Sequence, residues 1–282
     1  MIHLSRGALS VSDQPSGLKP SMTPEAGFRR IAALCSAAFA TQLALVMTDD
    51  NPEGPHRARV ALRRFRSGLA GFSPVIDASA RREMAGQARG LFRCLGRLRD
   101  ADVLLASSVD PAAVAGLAAD ADRTRAEVRA ELITMNATSF APSLQVRLAG
   151  TDWQRDGKRA RRWHRRGLDR LGRRALGRAW QACAGHGADL TTLAVEARHE
   201  LRKDLKTLRY LSEFFAPFWP GGRRDRFLNH LRGLQDNLGL LNDLALARAL
   251  TGDIAVTEAE TTTLSSARRA WKSLQKTGPF WA

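Results

Sequence analysis

The 282-residue chain is 44% hydrophobic, which suffices for one large domain or for two domains of about 140 residues each. Its 44 Lys and Arg residues against 28 Asp and Glu residues give a formal charge of +16, which predicts a polyanionic partner or an acidic surface. Three cysteines without CxxC spacing argue against a disulfide framework and favour a reducing compartment such as the cytosol.

Helix signals fill most of the chain, and strand-like alternation is almost absent. Residues 1–22 contain Ser, Gly and Pro without an apolar segment, so they predict a disordered segment and no secretory signal. Proline and glycine breakers then separate eight predicted helices, over 24–48, 53–73, 77–106, 111–137, 153–184, 189–218, 221–250 and 255–277. The uncharged run from Ile31 to Met47 is short for a membrane span, so we expect a buried helix and no membrane partner.

The eight helices fall into two groups of four. Between them lies a predicted linker over 138–152, which contains Pro142 and Gly150. The sequence therefore predicts an all-α fold of two four-helix bundles, with a first half over 23–137 and a second half over 153–278.

One helical pattern occurs twice. Each copy begins with a histidine, which is followed by basic residues 3, 7 and 10 positions later and by a phenylalanine 16 positions later. At about 100° per residue these polar positions share one narrow edge beside an apolar face. The first copy contains His56, Arg59, Arg63 and Arg66, and the second contains His199, Arg202, Lys206 and Arg209.

A shift of 143 residues superposes the two copies and extends beyond them. Nine of the 18 basic residues before position 140 then fall on a basic residue, against about three expected from composition. Arg30 meets Arg173, Arg89 meets Arg232, and Asp100 meets Asp243. The pattern predicts a duplicated four-helix unit with a pseudo-two-fold axis and matched basic edges.

The doubled His and Arg helix, the motifs Gly96 to Val103 and Leu238 to Asp243, and the duplication resemble the conserved-histidine α-helical domain (CHAD) family over about residues 23–278. The resemblance implies two bundles around a basic channel that binds inorganic polyphosphate at cytoplasmic polyphosphate granules. It places His56, Arg59, Arg63, Arg66, His199, Arg202, Lys206 and Arg209 in that channel. The internal repeat adds Arg30, Arg89, Arg173 and Arg232.

Other interpretations of the two histidines remain open at this stage. A lone histidine often makes a local hydrogen bond in a partly buried helix, but the recurrence at one phase favours an anion site. A metal site would need ligands from other helices, since neither His56 nor His199 has an acidic residue or histidine at +3 or +4. A phosphorylated histidine would need fewer flanking cations. We expect no metal and no cofactor.

Neighbouring residues have structural interpretations. Asp100 and Asp243 could be catalytic, but we expect them to orient guanidinium groups through paired hydrogen bonds. The matched glycines Gly96 and Gly239 predict a close approach between helices. The dense basic run over 155–178 largely lacks a counterpart in the repeat, so we expect a solvated face.

The residue types in the repeated pattern favour polyphosphate over nucleic acid. Single-stranded nucleic-acid sites interleave cations with exposed aromatic rings, whereas this edge offers His, Arg and Lys beside aliphatic residues. Such an edge suits a base-free anion, and histidine protonation would raise affinity as the pH falls below about 7. We therefore expect a binding protein without catalytic activity. The alternatives are an RNA- or DNA-binding module and an enzyme that processes phosphate polymers.

Overall fold

The computed structural model describes residues 16–108, 111–251 and 254–282. Its α-helices are α1 (Pro24–Thr48), α2 (Glu53–Gly71), α3 (Ala78–Ser107), α4 (Pro111–Thr134), α5 (Phe140–Ala149), α6 (Lys158–His164), α7 (Leu168–Ala184), α8 (Val195–Phe215), α9 (Gly222–Thr251) and α10 (Ile254–Thr277). The all-α prediction is confirmed, since the described residues contain no β-strand beyond one isolated bridge, Ile76 with Gln154.

The chain forms two compact units. Among the described residues, the first unit contains 16–17 and Met22–Gly167, and the second contains Leu168–Ala282 together with Leu18–Ser21. In the first, α1 packs on α2 and α5, α2 on α3, and α3 on α4, while in the second α7 packs on α8, α8 on α9, and α9 on α10. Helix bounds follow the 143-residue shift, since α4 at 111–134 corresponds to α10 at 254–277.

The prediction that residues 138–152 form a linker loop is wrong. Residues 140–149 form α5, which buries Phe140, Leu144 and Leu148 at helical spacing. The Phe140 ring packs edge-on against Phe39 and Phe65 at 5.4 and 5.7 Å. The prediction treated Pro142 as a helix breaker, but Pro142 lies in the first turn of α5, where proline is tolerated.

The boundary between the units lies at Gly167 and Leu168, after the segment that the sequence suggested. Residues 153–155 stay with the first unit because Asp77 N–H donates to Trp153 O at 2.8 Å and Arg155 N–H donates to Val75 O at 2.9 Å. The helix predicted over 153–184 is consequently two helices, α6 and α7.

The start of the chain also differs from the prediction of disorder over 1–22. Residues 1–15 lie outside the described residues, but Ser16 and Leu18 are buried. The N–H of Leu168 donates to Pro20 O at 3.2 Å, so this segment has a fixed place against the start of α7.

Helix α1 contains the uncharged run. It has the length and hydropathy of a membrane span, as the core helices of many soluble proteins also do. In the structure its residues Phe28, Ile31 and Phe39 are buried in the first unit, as the sequence predicted for this helix. The three cysteines, Cys35, Cys94 and Cys183, are buried thiols, and burial raises the pKa of Cys94 to about 11.

Candidate functional site

Helix α2 carries the first stripe, which we define as His56, Arg59, Arg63 and Arg66. His56 is exposed and the three arginines are half-buried. The adjacent face of α2 is fully buried through Ala58, Leu62, Phe65 and Leu69. The hydrophobic face thus fixes the rotation of α2 and keeps the cations along its edge.

Helix α8 carries the second stripe, which we define as His199, Arg202, Lys206 and Arg209. It repeats the same exposure, with His199 exposed and the three cations half-buried. Leu201, Leu205, Leu208 and Phe215 form the buried face. The predicted phase of both helices is confirmed by this burial, whereas the role of the stripes in binding stays a prediction.

Phe92 on α3 supports the first stripe. The Arg59 and Arg63 Cζ atoms lie 4.3 and 5.0 Å from the centroid of its half-buried ring. Each such cation–π contact contributes about 0.5–1 kcal/mol at an exposed site. The sequence analysis missed Phe92 because the repeat places Gln235 at its counterpart, so matching of the two halves gives no signal for it.

The paired glycines make room for the first arginine of each stripe. A Cβ atom at Gly96 would overlap Arg59 Nη1, and one at Gly239 would lie 3.3 Å from Arg202 Nη1. Arg202 Nη1 also donates to Leu238 O at 2.7 Å. The close approach predicted at these glycines is therefore between a helix backbone and a guanidinium group.

The second stripe contains its own acceptors. Arg209 Nε donates to Glu213 Oε1 at 2.8 Å and Nη1 donates to Gln235 Oε1 at 3.2 Å. Gln235 is itself fixed because its Nε2 donates to Leu205 O at 2.7 Å. Position 70, the counterpart of Glu213, is alanine, and Arg59, Arg63 and Arg66 form no ion pair with any described residue.

The pKa shifts follow this difference. Burial, together with Arg63 and Arg99, lowers the pKa of Arg59, although Asp100 acts in the opposite direction. Burial, Arg89 and Arg63 lower the pKa of Arg66. Burial also opposes the charge of Arg209, but Glu213, together with Tyr210 and Asp236, more than offsets it and the pKa of Arg209 is raised. The first stripe is thus a crowded group of cations that an anion would stabilise.

The four residues added by the repeat have different surroundings. Arg89 is exposed on α3 and its charge acts on Arg66, whereas Arg232 is exposed and its Nη1 lies 3.5 Å from Asn229 Oδ1. Arg30 Nε donates to Ser16 O at 3.3 Å. The Arg173 guanidinium donates to Trp281 O and stacks over Trp219 at 5.2 Å. Arg30 and Arg173 therefore hold end segments of the chain in place.

The predicted orienting carboxylates do not form the expected hydrogen bonds. Asp100 and Asp243 are exposed, and neither bonds a guanidinium group of a described residue. Asp100 acts on Arg59 only through its charge. The buried carboxylate of this region is Asp102, whose Oδ1 accepts from Arg125 Nη2 at 2.9 Å. Burial outweighs this contact and raises the pKa of Asp102.

The described residues contain no group of three or more His, Cys, Asp or Glu side chains placed to hold a metal ion. The two stripes themselves consist of guanidinium, ammonium and imidazole groups, which can donate hydrogen bonds. Such groups recognise phosphate oxygens.

The whole chain resembles solved structures in fold. A crystal structure of the CHAD domain from the plant Ricinus communis matches with a TM-score of 0.68 and 21% identity, covering 98% of this chain and 93% of that chain. PptA from Streptomyces chartreusis matches with a TM-score of 0.52 and 16% identity, covering 92% of this chain and 99% of that chain.

No curated protein matches this sequence. The profile of the CHAD domain family, however, matches residues 30–251, a range that contains both stripes. This match spans well over half of the chain, and the protein belongs to the CHAD domain family.

Proposed function

We propose that this protein binds inorganic polyphosphate through the first and second stripes, without chemical turnover. The observation that carries the proposal is the first stripe, in which three half-buried arginines form no ion pair with any described residue. Their mutual proximity and burial disfavour the charged state, and a chain of phosphate groups would supply the missing negative charge.

The aromatic residues near the stripes favour a base-free ligand. The guanidinium groups of Arg59 and Arg63 lie over the half-buried ring of Phe92, and Tyr210 beside the second stripe is buried. Stacking of bases would require exposed aromatic faces. Family membership supports the same ligand, because the CHAD resemblance implies polyphosphate. The shared channel stays a prediction of the sequence analysis.

The test is the charge-reversed double variant Arg63→Glu/Lys206→Glu, titrated with long-chain polyphosphate. We expect at least about 100-fold weaker binding, since two charge-assisted contacts of about 1.5–3 kcal/mol each are replaced by repulsion. The matched control is Arg161→Glu/Arg165→Glu, which makes the same charge change on exposed residues of the basic run. We expect less than about fivefold weakening in the control.

Two outcomes would overturn the proposal. Equal losses in both double variants would assign binding to the overall positive field rather than to the stripes. Tighter binding of single-stranded DNA than of polyphosphate at matched charge would favour the nucleic-acid alternative. The same samples, incubated with polyphosphate and Mg²⁺, test the absence of turnover, for which we expect no released phosphate.

We further propose that the protein acts in the cytoplasm at polyphosphate granules. In this proposal the protein reaches the granules by binding their polyphosphate through the stripes. A fluorescent fusion of the protein should therefore colocalise with the granules, and the Arg63→Glu/Lys206→Glu variant should be diffuse. Unchanged localisation of the variant would contradict recruitment through the stripes.

A further inference from the structure

A cleft of about 610 Å³ lies within the second unit, between α8, α9 and α10, at the His199 end of the second stripe. Its polar side includes His199 and Arg202, and its apolar side includes Leu238, Leu241 and Leu264. A volume between about 300 and 1,000 Å³ and a mostly apolar lining with a few polar groups are typical of small-molecule sites.

The corresponding part of the first unit has different residues. Ala245, which lines the cleft, corresponds to Asp102, a buried carboxylate paired with Arg125 at 2.9 Å. Arg268, the counterpart of Arg125, instead pairs with Asp189 at 2.9 Å. The second unit therefore has a methyl group where the first has a buried ion pair, which leaves this position of α9 compatible with a ligand.

The cleft combines three kinds of surface. His199, Arg202 and the neighbouring Arg198 provide donors for phosphate oxygens. The three leucines provide a floor for a flat apolar group. Glu196 and Asn242 provide acceptors for hydroxyl or amino groups. Polyphosphate bound along the second stripe would offer no hydrogen-bond donor to the Glu196 carboxylate, which lines the cleft outside the stripe.

We propose that this cleft binds a nucleoside phosphate, with its phosphates on His199 and Arg202 and its nucleoside on the leucine floor. Ribose hydroxyls and base amino groups can donate hydrogen bonds to Glu196 and Asn242, and the base supplies the apolar surface. This inference rests on the proposed function in one respect, since His199 and Arg202 also belong to the second stripe.

The experiment compares ATP with tripolyphosphate, which carries the same number of phosphate groups and no nucleoside, by calorimetric titration of the full chain. We expect ATP to bind at least about tenfold more tightly, the effect of roughly 1.4 kcal/mol from burying the base. Equal affinities would overturn the proposal. Decanoate is included as an acyl anion, and binding of decanoate in place of ATP would overturn it as well.

Two variants fill the cleft. Ala245→Trp and Asn242→Trp each place an indole in it, and we expect both to reduce the preference for ATP over tripolyphosphate to less than about twofold. The control is Leu240→Trp, an exposed α9 residue that does not line the cleft. A preserved ATP preference in both filled variants would contradict the assignment.

Long-chain polyphosphate separates this proposal from the function proposed above. The Ala245→Trp variant should lose less than about threefold in polyphosphate affinity, because the first stripe, Lys206 and Arg209 do not line the cleft that the indole fills. If long-chain polyphosphate fails to bind the wild-type protein while the ATP preference persists, the proposed function fails and the nucleotide site stands. Thermal melts of each variant confirm that the comparison is made on folded protein.

Discussion

The first and second stripes share four basic or imidazole positions but differ in what surrounds them. In the first, Arg59 and Arg63 lie over Phe92, and Arg66 forms no ion pair with a described residue. In the second, Glu213 and Gln235 accept hydrogen bonds from Arg209. The two stripes carry similar charges in the sequence, but a carboxylate offsets part of the charge only in the second. We therefore infer that the first stripe contributes more to anion affinity.

A similar asymmetry separates the two units behind the stripes. The first has the buried pair of Arg125 and Asp102, with side chains 8% and 4% exposed, whereas the corresponding Arg268 pairs with Asp189, with side chains 44% and 31% exposed. The core of the first unit therefore contains a buried ion pair. The second has the cleft of about 610 Å³ at the equivalent position of α9.

The largest expected effect is on stability. Arg125→Met should lower the free energy of unfolding by about 3–5 kcal/mol, because it leaves Asp102 buried without its partner. Arg268→Met should cost less than about 1 kcal/mol, since its ion pair is exposed. Urea unfolding of the full chain measures both. The double variant Arg125→Met/Asp102→Leu should recover much of the loss, and equal losses for the two single variants would refute the comparison.

The next effect is on polyphosphate affinity. Arg66→Gln should weaken polyphosphate binding by about tenfold, because no described carboxylate neutralises the charge of Arg66. It should also reduce the slope of log affinity against log salt concentration by about the amount of one phosphate contact. Arg209→Gln should weaken binding by less than about threefold, since Glu213 already offsets that charge. Titrations at two salt concentrations test this order. A larger loss for Arg209→Gln would assign the stronger role to the second stripe.

Exchanging the acidic neighbour sharpens the comparison further. Ala70 is exposed and lies four residues after Arg66, as Glu213 does after Arg209. Ala70→Glu should weaken polyphosphate binding about threefold by pairing with Arg66, and Glu213→Gln should strengthen it by about twofold. Ala70→Gln controls for side-chain size. Stronger binding by Ala70→Glu together with weaker binding by Glu213→Gln would show that the local carboxylate does not set the difference.

The smallest effect concerns acid stability of the first unit. Hydrogen bonds from the Ser79 hydroxyl and from the Ala80 and Ser79 N–H groups lower the pKa of Asp77, the N-cap of α3, to about 2. Because this pKa lies below the ordinary value of about 3.9, the cap stabilises the fold above about pH 4 and loses its contribution as the pH falls towards 2.

The counterpart of Asp77 is Pro220, which has no side-chain acceptor. Thermal melts between about pH 5 and pH 2 should therefore show a smaller loss of stability in Asp77→Asn than in the wild type. An identical pH profile in the two proteins would remove Asp77 from the acid response.

Much of the candidate site could be predicted from the sequence because it depends on helix phase. The edge containing Arg59, Arg63 and Arg66 follows from 3.6-residue periodicity beside Leu62 and Phe65, which is local information. The close approach at Gly96 was likewise expected, since a glycine repeated in a helix indicates that something lies against it. Its partner, the Arg59 guanidinium, was not expected.

The unpredicted features arise from packing between distant segments. Phe92 lies 29 residues after Arg63 in the sequence, and Arg125 lies 23 residues after Asp102, so no local pattern relates them. Helix α5 was missed because Pro142 and Gly150 outweighed an apolar spacing that makes sense only once α1 is present to cover it.

The sequence by itself determined the all-α class, the rotation of α2 and α8, and the two lines of cations, because hydrophobic periodicity fixes which side of a helix is buried. The tertiary structure decided which cations meet an aromatic ring, which meet a carboxylate, and where a cleft opens. Those outcomes depend on the side chains that neighbouring helices bring across the interface, and helix periodicity carries no information about them.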